Sequence, residues 1–472
     1  MTYKHSIIVA LLGLITFVSV GFGLGTDQNP GQGSTISNSS LSTAHPYPIP
    51  AIEKSDPTTE VSHGGSRPDS KGAPTSASTM QLEDLIAEAL TNNPEIQAAE
   101  RMVDAKRAVA PQARTLPDPT ISGGWAGNLV PPFSIQTGDP SSARMLGVTQ
   151  EIPFPGKLSL RGRIAETEAD TERWTGYERT KLAVISNLKQ TYYELCFINK
   201  SIEIVQKDKA LLETLAKIAE ARYAVGKGMQ QDVIRAQVEI SRLLERLTLL
   251  EQRKGVAEAM LRNILYRQPD APVGTPQEIV KTEVPYSLKE IEALGESNSP
   301  ALKAQEKDID KNQLTLNLAK KEYYPDFGVG FTYSNRPQMP DMYSVNITAK
   351  VPLYFWKKQR YGVEEAASSL VSSKRRWEAA KTDVLFKLKD QYLAMKASER
   401  LMELYSKVIV PQSTLALDSS LSGYQVGSID FLSMLANYLT VLDYELSYYD
   451  SLTNYQKAAA RMEEIAGIPL SK

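Results

Sequence analysis

The sequence predicts a mainly α-helical, internally duplicated chain that adds four strands to a membrane β-barrel shared with other copies of itself. Three observations carry this reading. Residues alternate almost without interruption between Asp326 and Pro352, helical runs occur that are too long for a compact domain, and the whole order of elements repeats at an offset of about 200 residues.

Composition narrows the chemistry. The chain has 472 residues and a formal net charge of −2, so no basic excess points to nucleic acid. His5, His45 and His63 are the only histidines and Cys196 the only cysteine. Beyond residue 63 the chain therefore cannot build a Ser/His or Cys/His nucleophile, a His-ligated zinc site or an internal disulfide. We expect no enzyme, no cofactor and no metal site.

Lys4 and His5 precede an uncharged apolar run from Ile7 to about Leu24, the order of a secretory signal, and 1–25 reads as a signal peptide. Residues 26–80 are rich in Ser, Thr, Pro and Gly and read as a disordered linker. The first repeat spans 81–268. It opens with helical periodicity around Leu82, Leu85, Ile86, Ala89 and Leu90, is broken at Asn92-Asn93-Pro94, and resumes from Ile96 to Arg114. A β-hairpin follows over 119–153, with Gln150 the one polar misfit on an otherwise apolar face. Lys157 to about Tyr223 then reads as one helix of roughly 65 residues, about 100 Å long. The chain turns near Gly226 and returns as a helix from Gln231 to about Tyr266. Residues 269–286, with four prolines, read as an inter-repeat linker.

The second repeat, 287–472, echoes the first. Asn93-Pro94 answers to Ser299-Pro300, Pro117-Asp118 to Pro325-Asp326, Ile152-Pro153-Phe154 to Val351-Pro352-Leu353, Lys189 and Tyr192 to Lys389 and Tyr392, and Tyr223-x-Val225-Gly226 to Tyr424-x-Val426-Gly427. Its hairpin, 326–352, places Phe327, Val329, Phe331, Val345 and Ile347 on a face suited to lipid, and Thr332, Ser344, Asn346 and Thr348 on a face suited to a lumen. Tyr323, Tyr324, Tyr354, Phe355 and Trp356 flank it as interfacial aromatics do. Its long helix is expected to break or bend at Pro411, turn near Gly427, and return with Ser428 as N-cap.

Four strands cannot close a barrel, and open edges in lipid leave unsatisfied backbone groups. Copies must therefore share one. Geometry allows a dimer with eight strands or a trimer with twelve, and a lumen of small polar residues favours the wider barrel.

Residues Ala89-Leu90-x-x-Asn93-Pro94-x-Ile96, the proline strand exits, Val410-Pro411-Gln412 and both Tyr-x-x-Gly tips together resemble the outer-membrane efflux protein family, the TolC-like channels. The resemblance covers Gln81 to the C-terminus. It implies a homotrimer with a twelve-stranded barrel in outer-membrane lipid, continued into the periplasm by an α-helical barrel. It implies an exit duct of a tripartite efflux system, fed by an inner-membrane pump through a periplasmic adaptor. Gln150 to Lys157, with Arg161, further resembles the subgroup paired with heavy-metal cation pumps. The tip residues Tyr223, Gly226, Asp232, Tyr424, Gly427 and Asp430 are the expected gate, with the acids either facing the pore or only complementing helix N-termini. Tyr223 and Tyr424 are expected to hydrogen-bond between neighbouring tips. The rival reading is an elongated periplasmic coiled-coil adaptor or scaffold with no pore.

Overall fold

The structure, a computed structural model, describes residues 79–127, 135 and 138–470. The expected signal peptide and all but the last two residues of the expected linker lie outside the described residues.

The described chain begins with a short strand, β1 (Thr79–Met80), then α1 (Leu82–Asn92) and α2 (Pro94–Arg114). Asn93 separates the two helices for a local reason. Its side-chain oxygen accepts from the N–H groups of Glu95 and Ile96 at 2.9 and 3.3 Å, and Pro94 supplies the preset first helical residue. Strands β2 (Thr120–Ala126) and β3 (Ala143–Ile152) follow. Next come α3 (Lys157–Glu172), a π-helical segment (Arg173–Glu178), α4 (Arg179–Ala224) and α5 (Gln230–Ile264). The second half runs β4 (Thr275–Pro276), α6 (Leu288–Asn298), α7 (Pro300–Lys321), β5 (Asp326–Asn335), β6 (Met342–Lys350) and α8 (Lys358–Leu404). It ends with a second π segment (Tyr405–Ile409), α9 (Val410–Val426) and α10 (Phe431–Ala466).

Three expectations need correction. The helix does not break at Pro411. The Val410 N–H reaches back to the Tyr405 carbonyl five residues earlier, so the π segment absorbs the proline, which has no N–H to donate, and the helix continues. The returning helix is capped by Asp430, not Ser428: Asp430 accepts from the Ser433 N–H at 3.2 Å and the Ser433 hydroxyl at 2.6 Å. Ser428 instead donates its hydroxyl to the Gly423 carbonyl at 3.1 Å. Finally, 269–286 is more than a linker and Thr79–Met80 is ordered, because β1 pairs in parallel with β4. The Tyr192 hydroxyl clamps that pair, donating to the Met80 carbonyl and accepting from the Gln277 N–H, both at 3.2 Å. Ile279 is buried in the core, and Gln456 donates to the Val280 carbonyl at 2.5 Å.

The core is a seam between the long helices. Leu188, Leu195, Ile198, Val205 and Leu212 of α4 are buried in one cluster with Leu261 of α5 and Met434, Leu442 and Met462 of α10. Ion pairs Lys189–Glu463 and Lys457–Glu194 cross from α4 to α10. The duplication persists in packing. Gly295 on α6 leaves the space that Leu388 of α8 fills, while Ala89 and Leu188, equally buried, hold the corresponding positions of the first repeat.

One carboxylate sits badly in this seam. Asp208 Oδ2 is buried without a hydrogen-bond partner, and burial together with Glu445 pushes its pKa up to about 6, against the opposing pull of Lys207 and the Tyr438 hydroxyl. An acid whose folded pKa exceeds its unfolded value, about 3.9, binds its proton more tightly when folded, so stability should fall as pH rises from about 4 to about 6 and stay lower above. We expect Asp208→Asn to remove that slope and to raise stability at neutral pH by about 1 to 2 kcal/mol, discounted for partial exposure. Thermal unfolding of the detergent-solubilised protein across this range checks it.

Candidate functional site

Two regions hold the residues singled out by sequence: the sheet and the helical tips. The four long strands form one antiparallel sheet in the order β2-β3-β5-β6, so β2 and β6 are its edges. Register brings each residue set together. Phe331 pairs with Val345, Val329 with Ile347 and Phe327 with Ala349, whereas Thr332 pairs with Ser344, Gly330 with Asn346 and Gly328 with Thr348. Across the β3–β5 seam the same faces continue, with Val148 beside Phe331 and Gly147 beside Thr332. The apolar face is open, with Ile347 77% and Val345 68% exposed. The opposite face is crowded by small polar groups: a Cβ on Gly147 would lie 2.8 Å from Ser122 Oγ and 3.1 Å from Thr332 Oγ1. The misfit Gln150 folds out of the apolar pattern by donating to the Pro117 carbonyl at 2.7 Å.

The sheet meets the helices at a corner built around Lys157. Its ammonium, 1% exposed, donates to Asp326 Oδ1 at 2.9 Å, Glu322 Oε2 at 3.2 Å and the Tyr324 carbonyl at 3.2 Å. Asp326 also accepts from the Phe154 N–H at 2.7 Å, and the Phe154 ring stacks on Tyr324 with centroids 4.5 Å apart. Burying this cation is tolerable because three oxygens surround it.

At the other end, both tips close with the same helix-stop motif. In the first, the Gly226 and Lys227 N–H groups donate to the Tyr223 and Arg222 carbonyls at 2.9 and 2.8 Å; in the second, Gly427 and Ser428 donate to Tyr424 and Gly423 at 3.1 and 2.8 Å. Gly226 (φ 73°) and Gly427 (φ 82°) occupy the left-handed position that this motif requires. A Cβ on Gly226 would meet nothing within 4 Å, so conformation and not space selects glycine there.

The tips are otherwise unequal. Tyr223 is 47% exposed and Tyr424 only 4%. Tyr424 packs edge-on against Phe431, centroids 5.6 Å apart, under the Arg222 guanidinium, which lies 4.6 Å from its ring centroid. Arg222 also donates to the Tyr424 carbonyl. Burial, opposed by Arg222 and reinforced by Asp232, raises the Tyr424 hydroxyl above its ordinary pKa. Within its own chain Tyr424 is thus held by Arg222 and Phe431. Asp232 lies in the first turn of α5 and Asp430 caps α10, where the Ser433 hydroxyl and N–H hold its carboxyl below the usual range. Arg222 was not anticipated. The available signal is that, inside a repeated tip motif, it stands where the second repeat has Gly423.

The profile of the family described as outer membrane efflux protein matches residues 85–265 and 294–468, most of both repeats. Toxin and drug export protein A of Aggregatibacter actinomycetemcomitans is 25% identical over 272 residues, which are 53% of this chain and 55% of that relative's length. The cobalt-zinc-cadmium resistance protein CzcC of Cupriavidus metallidurans is 19% identical over 398 residues, 83% of this chain and 91% of the relative. The outer membrane protein VceC of Vibrio cholerae superposes with a TM-score of 0.71 at 16% identity, over 82% of this chain and 96% of that one.

The tip geometry makes a direct prediction. Gly427→Ala forces a side chain into φ > 0 and should cost about 1 kcal/mol locally. Arg222→Gln removes the cation over Tyr424 and should leave the helical seam intact. Amide hydrogen exchange should therefore speed up at Gly427 and Ser428 in both variants, by roughly fivefold for the glycine change, with exchange around Leu188 and Met462 unchanged.

Proposed function

This chain belongs to the outer membrane efflux protein family, a family of transport channels and not of enzymes, and from that premise we propose that three copies form the passive exit duct of a tripartite efflux system. Each copy supplies its four-stranded sheet to a twelve-stranded barrel in the outer membrane. The long helices continue it through the periplasm as an α-helical barrel that meets a periplasmic adaptor and an inner-membrane pump.

One observation carries this reading: an antiparallel sheet with two edges unpaired among the described residues, one exposed face of Phe, Val and Ile, and one face of Gly, Ser, Thr and Asn. Such a face suits hydrocarbon, and hydrocarbon forbids the open edges, so closure with further copies satisfies both requirements. A pore-free scaffold would account for the helices and leave this sheet unexplained. Among the described residues no helix is long and apolar enough to cross a membrane.

The helical tips supply the gate in this proposal. Three-fold symmetry would turn any inward-facing acid into a ring, and Asp232 and Asp430 are the carboxylates at the tips that could form one and favour cations. The cation–π contact and hydrogen bond from Arg222 to Tyr424 would hold the second tip against the first, and so hold the entrance closed.

Two experiments test the pieces. Val345→Arg and Ile347→Arg should block membrane assembly, since an arginine at the lipid midplane costs about 2 to 4 kcal/mol, while Ser344→Arg and Asn346→Arg should assemble; equal damage by both pairs would overturn the face assignment. In planar bilayers, Arg222→Ala should raise single-channel conductance without lowering trimer yield. Asp430→Asn, which keeps a good N-cap, should reduce cation selectivity at low salt. An unchanged conductance and selectivity would leave these as ordinary helix-end residues.

A further inference from the structure

The internal duplication places a filled corner and an open corner on the same chain. In the filled one, the exit of β3 docks on the junction of α7 and β5. Phe154 stacks on Tyr324, and Lys157, whose N–H donates to the Phe154 carbonyl at 3.1 Å, is buried on Asp326. The exit of β6 repeats this turn, the Lys357 N–H donating to the Tyr354 carbonyl at 3.0 Å. By the geometry of this turn Tyr354 and Lys357 correspond to Phe154 and Lys157, one residue beyond the sequence match of Phe154 with Leu353, yet Tyr354 is 70% exposed and the Lys357 side chain is exposed, with no partner among the described residues. The counterpart of the α7–β5 junction is the α2–β2 junction, where Leu116 stands for Tyr324 and Asp118 for Asp326. Both are exposed, and Asp118 also lacks a partner among the described residues. These two half-corners sit beside β6 and β2, the two free edges of the sheet.

We infer that a second copy of this chain fills the open corner, its Asp118 accepting from Lys357 and its Leu116 lying under Tyr354, in the manner of the corner that Lys157 makes within one chain. The inference rests on the shared-barrel reading and adds to it the residues that lock neighbours together. Bulk is exchanged across the two corners. Gly156 and Tyr324 in the filled one become Trp356 and Leu116 in the open one, so the larger ring moves from the junction to the loop. Charge is complementary as well. Arg114, which replaces Glu322, is already held by Glu166 at 2.7 Å and leaves Asp118 as the free carboxylate.

The strand exits align at an offset of 199, Ile152 with Val351 and Pro153 with Pro352, one less than the offset of 200 that relates the corners, and this strand alignment gives a register between copies. Within the chain, Ile152 pairs with Phe327 and Thr149 with Gly330. Carried over, Val351 pairs with Pro119 of the neighbour, Thr348 with Ser122 and Val345 with Trp125. This register puts apolar residues beside apolar ones and small polar residues beside small polar ones. A shift by one residue would invert every side chain.

The test uses the full chain purified from membranes. Lys357→Asp and Asp118→Lys should each weaken subunit association on dilution by roughly tenfold or more, because each leaves a charge facing its like in a closed interface. The double exchange should restore association to within about threefold. Losses that simply add in the double variant would overturn the lock. So would a Lys357→Asp defect seen only in vesicles containing phosphatidylglycerol and not rescued by Asp118→Lys, which would assign the lysine to a lipid headgroup. Independently of folding yield, Ser122→Cys with Thr348→Cys should give disulfide-linked multimers, and Gly124→Cys with Thr348→Cys should not; the reverse pattern would overturn the register while keeping the shared barrel. A wild-type protein that is monomeric in detergent would remove the shared-barrel reading itself.

Discussion

The buried contact between Lys157 and Asp326 fixes how the sheet is carried by the helices. Lys157 is 1% exposed, and Asp326, Glu322 and the Tyr324 carbonyl supply the oxygens that replace its water. The consequence reaches both repeats. Lys157 begins α3 of the first, while its acceptors end α7 and begin β5 of the second, so one ion pair sets the β3–β5 seam against the helical seam.

Duplication explains most of the architecture, and its exceptions mark places where the two halves have different tasks. The turns at Gly226 and Gly427 have the same hydrogen bonds, since both must reverse a helix through one left-handed residue. Between them, Arg222 faces Tyr424 with no reciprocal pair, because Gly423 has no side chain to reach back. A symmetric device would tie both tips equally. This one gives the first tip the donor and the second the acceptor, which is the arrangement expected where one hairpin is held by another. The π segments also differ in place. Arg173–Glu178 joins α3 to α4, and Tyr405–Ile409 absorbs Pro411 in the middle of a helix. Each adds a residue to the local helical turn and so rotates everything beyond it.

The helices have a second role beyond length. Their seam buries Leu, Ile, Met and Tyr between α4, α5, α8 and α10, and the passage of 269–286 lies across it, anchored by Tyr192 and Gln456. Side chains of both repeats thus hydrogen-bond to the backbone of this belt, which is not a free loop.

By itself the sequence determined the class of element almost everywhere. Alternation in Phe327 to Tyr333 and Tyr343 to Val351 is a local pattern, and so are the three-and-four spacing of Leu188, Tyr192 and Leu195 and the tip glycines, because each depends only on neighbours within a few residues. The absence of histidine beyond residue 63 likewise set the limits of the chemistry before any fold was known. What the tertiary structure decided was pairing across distance. That Asp430 and not Ser428 caps α10, that Pro411 is absorbed and not broken upon, that a proline-rich passage is packed, and that Arg222 holds Tyr424 are results of competition between partners. Lys157 shows the same division: the sequence marked it as the start of a long helix, and only the approach of β5, some 170 residues later in the chain, made it a buried cation. Local periodicity is written along the chain, whereas the choice of partner follows from which groups the folded backbone brings within hydrogen-bonding distance.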